Sequence, residues 1–302
     1  VKEINGQDAL VICTYQRFED LQRCLNSLDV VGTKPEVILV VDGDQDETLR
    51  VFLKEKYPAV MYVPSEKGLT IQRNVALDLL TDSRFIFFVD DDTEFLPGYF
   101  SRVAEIFLEH DVVGVGVTPL PEVVNNVQAL SVFLGMNSNH PGTVRKNGLN
   151  VGRFEGEGFA DWLPGCSMSF RAAAIGGIRF DERRRGYALG EDVDFGLKMR
   201  KAGSLYWFSE PLIIHHQSTV NRQKRSLSVR QRVRHKWTIA DDQLGDVTKF
   251  WVSAGYIGEF IYWILMVLRW RSFEPLAYAL ALAQGCWDIL RGGGLSGRPR
   301  KT

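Results

Sequence analysis

The chain has 302 residues, 45% hydrophobic and 24% charged, enough for one large domain or a domain with an appendage. A formal net charge of −1 lacks the basic excess of a nucleic-acid binder and the acid excess of a halophilic surface, so no nucleic-acid partner is expected. Four scattered cysteines, Cys13, Cys24, Cys166 and Cys286, form neither a zinc spacing nor a disulfide framework, and a reducing compartment is the simpler expectation. The chain opens at Val1 without an initiator Met, and no basic-then-apolar leader is visible there.

Ala9–Cys13 is a short apolar run that predicts a strand ending in Thr14-Tyr15, and Phe18, Leu21, Leu25 and Leu28 follow with helical spacing. Val37–Val41 predicts a second strand, ending at Asp42-Gly43-Asp44. Asp46–Tyr57 predicts a helix with acidic residues in its first turn, which suits the helix dipole. A strand over Val60–Val63, a helix over Leu69–Leu80, a strand over Phe85–Val89, a helix over Tyr99–Glu109 and a strand over Val112–Val117 complete the series. This repeated β-α-β-α order predicts an α/β fold, a parallel or mixed sheet with helices on both faces. In such a sheet Thr14, Tyr15, Asp42 and Asp90 to Asp92 all arrive at the carboxyl edge, where one site can collect them. No G-x-G-x-x-G, G-x-x-x-x-G-K-[ST] or G-x-S-x-G is present. That argues against a dinucleotide-binding dehydrogenase, a P-loop NTPase and a nucleophile-elbow hydrolase.

The triplet Asp90-Asp91-Asp92 carries the most chemistry. Three adjacent carboxylates repel one another, and a hard divalent cation, Mg²⁺ or Mn²⁺, is their natural counter-ion, usually bridging to substrate phosphates. The alternative is an acidic turn that caps the next helix, with an aspartate or Thr93 as N-cap. Residues 155–185 are rich in glycine (Gly156, Gly158, Gly165, Gly176, Gly177), as a ligand-facing segment or an ordinary surface loop would be. Gly190-Glu191-Asp192-Val193-Asp194 opens a helix over Phe195–Lys201. Its carboxylates are either caps, Asp194 above all, or a general base. Leu212-Ile213-Ile214 predicts a strand ending in His215-His216, and a histidine there is a metal ligand if it reaches Asp92.

The C-terminal part differs in character. Arg222, Lys224, Arg225, Arg230, Arg232, Arg234 and Lys236 form a basic stretch, followed by apolar stretches over Trp251–Trp270 and Pro275–Leu290. Neither is a clean spanning helix: the first contains Glu259 and two glycines, and the second is short and contains Gln284 and Asp288. Trp251, Tyr256, Tyr262, Trp263 and Trp270, with Arg269 and Arg271, resemble an interfacial belt. Attachment to a membrane surface is expected; packing on the main domain or on a second protomer, as a homodimer, is the alternative. The expected division is an α/β domain over residues 1–220 and a basic, then apolar helical region over 221–302.

Taken in order, several segments resemble the family 2 glycosyltransferases of GT-A fold. Val11-Ile12-Cys13-Thr14-Tyr15-Gln16-Arg17 is similar to the family's first strand and T-Y-x-R turn. Val40-Val41-Asp42-Gly43-Asp44-Gln45-Asp46 is similar to its V-D-x-x-S-x-D segment. Gly68 with Gln72-Arg73-Asn74-Val75-Ala76-Leu77 resembles the G-x-x-x-A-R-N-x-G-L helix, and Asp90-Asp91-Asp92 the DxD motif. Gly176-Gly177-Ile178-Arg179-Phe180-Asp181-Glu182 resembles G-G-F-D-E, and Gly190 to Phe195 resembles G-E-D-x-D-L. The likeness covers roughly residues 8 to 220. Three departures bear on donor contacts: Gly43-Asp44 replaces a small polar pair, Gln72 stands at an Ala position, and Val75-Ala76 omits a Gly.

The resemblance implies an inverting, metal-dependent transferase that uses a nucleotide-diphosphate sugar, of the type that builds bacterial surface polysaccharides. By residue it implies that Thr14, Tyr15 and Arg17 line the nucleotide pocket, that Asp42 bonds the base, and that Arg73 contacts base or diphosphate. Asp90 or Asp91 would hold ribose or sugar, and Asp92 would ligate Mg²⁺ or Mn²⁺, with His215 or His216 completing the metal or diphosphate site. Asp192 would deprotonate the acceptor hydroxyl beside Glu191, which contacts acceptor or donor. The implied acceptor is a glycan or lipid-linked glycan, and the implied place the cytoplasmic face of the inner membrane. Two other classes remain: a sugar-nucleotide-binding module without catalysis, and a nucleotidyltransferase. The latter opens with a Gly-rich loop after its first strand, where this chain has Thr14-Tyr15-Gln16-Arg17.

Overall fold

The structure is a computed structural model that describes residues 6–121, 142–144, 156–184, 188–220, 225–270 and 272–291. The chain divides into two compact units, Val1–Val123 with Phe154–Arg222, and Val124–Arg153 with Gln223–Thr302.

Nine strands among the described residues of the first unit make one sheet: β1 Ala9–Thr14, β2 Val37–Asp42, β3 Val60–Pro64, β4 Phe85–Asp90, β5 Thr93–Phe95, β6 Gly114–Leu120, β7 Gly158–Ala160, β8 Ser167–Arg171 and β9 Leu205–His215. Their order is β3-β2-β1-β4-β8-β6-β9-β5, with β7 also paired to β9. The first four are parallel; β8 runs antiparallel to β4 and β6, and β9 is parallel to β6. The helices are α1 Phe18–Ser27, α2 Glu47–Lys56, α3 Leu69–Leu79, α4 Tyr99–Glu109, α5 Ala172–Ile175 and α6 Glu191–Met199.

Strand alternation explains why both faces are covered. On β1, Leu10 and Ile12 join one core with Leu21 and Leu25 of α1, Leu49 and Leu53 of α2, and Val103 and Phe107 of α4. Ala9, Val11 and Cys13 join the other, with Ala76 and Leu77 of α3 and Phe195 and Met199 of α6. β4 splits the same way, Phe85, Phe87 and Val89 against Ile86 and Phe88. A strand with helices on both sides has no solvent face, so it reads as a continuous apolar run. Asp46 caps α2 by accepting from the Thr48 N–H at 2.8 Å, as its position before an acidic first turn leads one to expect.

The segment after the aspartate triplet differs from the capping alternative. Thr93–Phe95 is a strand paired to β9, and α4 begins only at Tyr99, after Gly98. The triplet therefore lies in a strand-to-strand turn and caps no helix. β9 is also longer than the three apolar residues that announced it, because its first half, Leu205–Phe208, is buried against β6.

The second unit contains α7 Arg225–Ile239, a π-helical turn over Ala240–Leu244, α8 Asp246–Trp270 and α9 Glu274–Leu290. Its core is small: Val229 and Val233 of α7, Val252 and Tyr256 of α8, and Tyr278, Ala281 and Leu282 of α9. Gly285 lets α9 approach α7, since a Cβ there would sit 2.9 Å from Val233 Cβ and 3.1 Å from the Arg230 carbonyl. The basic stretch is partly spent inside this unit. Arg230 makes two bonds to Asp288, at 2.6 and 2.7 Å, and Arg232 pairs with Glu259. Arg222 and Lys224 lie outside the described residues.

Candidate active site

Sheet register brings the polar strand ends together. Thr14 pairs with Asp42 across β1 and β2, Cys13 with Asp90 across β1 and β4, and Thr93 with His215 across β5 and β9. Three of the non-glycine residues with positive φ, Gln16, Gln45 and Gln217, sit in the turns that leave β1, β2 and β9. Such strained turns collect where a fold holds groups in place for function.

Thr14 Oγ1 donates to Asp91 Oδ2 at 2.8 Å, and Arg17 donates to Asp91 Oδ1 at 3.0 Å and to the Val220 carbonyl at 3.0 Å. Burial nonetheless pushes the Asp91 carboxyl up, to about 7, against the pull of Arg17 and Thr14. Asp42 is buried and accepts from the backbone N–H groups of Asp44 and Asp46 and from the Tyr62 hydroxyl. Gln72, at a departure from the family pattern, donates 2.8 Å bonds to the Thr14 and Val41 carbonyls and so ties β1 to β2. Tyr15 lies under the Lys67 ammonium, 3.9 Å from the ring centre.

Asp90, Asp92 and His215 form a group able to hold a metal, with one ligand atom from each all within 4.8 Å of one another. His215 Nε2 lies 3.1 Å from Asp92 Oδ1 and 3.8 Å from Asp90 Oδ2. Ligands about 2.1 Å from an octahedral cation are themselves about 3 to 4 Å apart, so these separations fit a small divalent ion. Asp92 Oδ1 is moreover a buried oxygen that makes no well-aligned hydrogen bond, its approach to His215 Nε2 being an ionic contact, and a cation would satisfy it. The other oxygen, Oδ2, accepts from the Ser218 N–H at 2.7 Å. Burial opposes ionisation of Asp92, but His215, the Ser218 N–H and Arg17 outweigh it and hold the carboxyl at about 2. The two carboxylates suit Mg²⁺ or Mn²⁺, and the imidazole nitrogen favours Mn²⁺ of the two. His216 points elsewhere, its Nε2 2.8 Å from Glu94 Oε2, and only its backbone N–H reaches Asp92, at the carbonyl.

A second cluster rests on Arg73 of α3, which is 1% exposed. Its guanidinium donates to Glu191 Oε1 at 2.5 Å and to the Gly165 carbonyl at 2.9 Å, and reaches Asp90 Oδ1 at 3.4 Å. Phe88 and Phe180 flank it, with ring centres 5.9 and 5.3 Å away. Arg73 thus links the metal group to the start of α6. Gly190, at φ 80°, turns the chain into α6 and delivers Glu191 and Asp192 in its first turn. Asp192 Oδ1 accepts from the Val193 N–H at 2.8 Å and Oδ2 from the Gly165 N–H at 3.3 Å. Burial and the adjacent Glu191 carboxylate raise its pKa far above the usual carboxylate range, to about 8. Asp194 instead turns into the protein, 2.7 Å from Lys198 and 3.7 Å from the buried Arg184.

Gly165 is the residue whose part the sequence hid best. A Cβ there would stand 2.8 Å from Glu191 Oε1 and 3.3 Å from an Arg73 nitrogen. Gly165→Ala is therefore expected to cost about 1–3 kcal/mol of stability and to lower activity by prising Arg73 from Glu191, as overpacking does. Denaturant unfolding and steady-state rates check this; unchanged values would show that the loop yields freely. Ser218 was hidden likewise, because its backbone N–H, with no side-chain signature, serves Asp92 across 126 residues.

Residues 9–152 match glycosyl transferase family 2. No curated protein sequence matches the chain. Among solved structures, the chain is similar to residues 1–349 of TarS from S. aureus, at 19% identity and TM-score 0.53, covering 85% of this chain and 72% of that one. It is also similar to the mannosyltransferase PcManGT from Pyrobaculum calidifontis in complex with GDP-Man and Mn²⁺, at 12% identity and TM-score 0.55, covering 95% and 88%. A third similar structure is GalNAc-T7 with UDP, GalNAc and Mn²⁺, at 12% identity and TM-score 0.58, covering 98% and 59%. At such identities the likeness is one of fold, and it agrees with the mixed sheet flanked by helices. The fold is thus GT-A, and residues 9–152 match the model of glycosyl transferase family 2.

Proposed function

We propose that the protein transfers a sugar from a nucleoside-diphosphate sugar to an acceptor hydroxyl, with inversion at the anomeric carbon. The carrying observation is the Asp90–Asp92–His215 group at the carboxyl edge, joined through Arg73 to Glu191, the neighbour of the raised-pKa Asp192. The similar structures support the donor class: their complexes contain UDP, or GDP-Man and Mn²⁺, or UDP, GalNAc and Mn²⁺.

Asp90, Asp92 and His215 would hold the cation. A divalent ion bound there supplies positive charge to the departing diphosphate. Thr14, Tyr15, Arg17 and Asp42, on the turns beside it, line the nucleotide side of the same edge. Asp192, with one oxygen on the Gly165 N–H, accepts the acceptor hydroxyl's proton. The acceptor oxygen then bonds to the anomeric carbon while the bond to the diphosphate breaks, its electron pair leaving with the phosphate oxygen. One displacement inverts the centre, by the two-sided logic of inverting glycoside hydrolysis. Glu191 keeps Arg73 charged and in place. The proposed acceptor is the hydroxyl of a glycan or lipid-linked glycan in polysaccharide assembly, a class resting on the sequence resemblance.

A donor screen tests this reading. UDP-, GDP-, dTDP- and CMP-sugars are titrated calorimetrically with and without Mn²⁺, on wild type and on Asp92→Ala. Metal-dependent binding of one diphosphate sugar, weakened at least about a hundredfold by Asp92→Ala, is expected. Metal-independent binding, or binding of none, would remove the proposed donor site.

A further inference from the structure

We propose that α8 and α9 lie flat in the headgroup region of an anionic lipid bilayer, with the polar helix α7 on the water side. The inference concerns the second unit alone and stands apart from the reaction proposed above.

Among the described residues, the apolar side of the α8–α9 pair is left exposed. Ile257, Ile261, Ile264 and Leu268 are 64, 46, 39 and 76% exposed, and their spacing of four, three and four residues puts them in one stripe along α8. Leu280 and Trp287 of α9, at 55 and 54%, extend the patch. Trp263 and Tyr278, with ring centres 4.8 Å apart, join the two helices. Exposed apolar surface of this extent on a folded unit calls for an occupant.

Length and hydropathy fit lipid. Within Lys249–Arg269 an 18-residue window reaches a mean hydropathy of 1.5, with 28% of that window buried, so by length and composition α8 could cross a bilayer. Its partner helix opposes crossing. Glu259, near the middle of α8 and 4% exposed, is held by Arg232, and Arg230 clamps Asp288 of α9. These pairs strap α7, with its five basic residues between Arg230 and Lys236 or just before them, along the helix pair. An α8 that crossed the bilayer would carry those charges into hydrocarbon at high cost. Lying in the interface leaves α7 wet and buries only the bare apolar side.

Charge selects the occupant. Residues 246–302 contain seven basic and four acidic side chains, and α7 arginines neutralise two of the acids, Glu259 and Asp288. The patch is bounded at both ends by cations: Lys249 and Arg291 at the start of α8 and end of α9, and Arg269 where α8 ends. Exposed aromatics stand beside them, Trp251 at one end and Phe273 at the other. A two-fold pairing of copies through this patch would set cation against cation at each end, whereas anionic headgroups complement both.

The test uses the full chain and sealed vesicles of phosphatidylcholine with or without phosphatidylglycerol. Wild type is expected to sediment with the anionic vesicles, less so as salt rises, and to be released by alkaline carbonate. The double variant Ile264→Glu/Leu280→Glu, with its melting temperature measured alongside, should partition at least about tenfold more weakly. Equal partitioning of the two proteins would overturn the proposal. So would retention in carbonate, which indicates a spanning helix. A lipid-indifferent dimer that the same variant dissociates would overturn it in favour of a second copy.

Discussion

Asp192→Asn is expected to lower kcat by about a thousandfold while leaving donor affinity within about twofold, the signature of a lost general base. The substitution keeps the side chain's shape, and the amide oxygen can still accept the Val193 or Gly165 N–H that positions the carboxylate. What disappears is the ability to take a proton. The environment also dictates a pH dependence. Burial and the negative Glu191 raise the pKa of Asp192, with Arg73 pulling the other way. Its proton-free, basic form therefore grows as pH rises, and kcat/KM of wild type should climb about tenfold per unit below the plateau and level off near pH 8. For stability the sign is opposite: this group favours the folded state below the ordinary carboxylate pKa near 4, and the contribution is lost as pH rises through its folded value. A flat rate between pH 6 and 9, or an Asn variant with wild-type turnover, would show that another group takes the proton.

Arg73→Met should be the most destabilising single change in the first unit, by about 3–5 kcal/mol, because it leaves Glu191 a buried charge without its counter-ion. The magnitude follows from geometry. Arg73 is 1% exposed and makes a 2.5 Å bond to Glu191, a 2.9 Å bond to the Gly165 carbonyl and a looser contact to Asp90. Met fills much of the space between Phe88 and Phe180 but satisfies none of these acceptors. Denaturant unfolding of Arg73→Met beside Arg73→Met/Glu191→Met separates the two contributions. Removing both charges should recover a large part of the loss, since an apolar pair of similar volume carries no desolvation cost. A single-variant loss under about 1 kcal/mol would mean that water reaches the pair and screens it.

Much of the architecture was legible in the chain itself. Ala9–Cys13, Val37–Val41 and Phe85–Val89 are unbroken apolar runs because each is buried on both faces, and the intervening helices show their buried stripe at Leu21 and Leu25 or at Leu49 and Leu53. The strands deliver their polar ends to one edge because parallel strands joined by crossovers all point the same way, so Thr14, Asp42 and Asp90 were bound to meet.

Tertiary structure decided the pairings. The choice between His215 and His216 depended on the register of β9 against β5, which sends adjacent side chains to opposite sides, one to Asp92 and the other to Glu94. The turn between β4 and β5 parts the triplet: Asp90 and Asp92 face His215, while Asp91 turns to Thr14 and Arg17. Arg73 meets Glu191 across 118 residues, and Arg230 meets Asp288 across 58, each through helix packing that no local pattern encodes. Periodicity and charge order act between near neighbours along the chain, so the sequence alone specifies elements and their edges. Which carboxylate meets which cation depends on how distant segments pack, and only the folded chain brings those segments within a few ångströms.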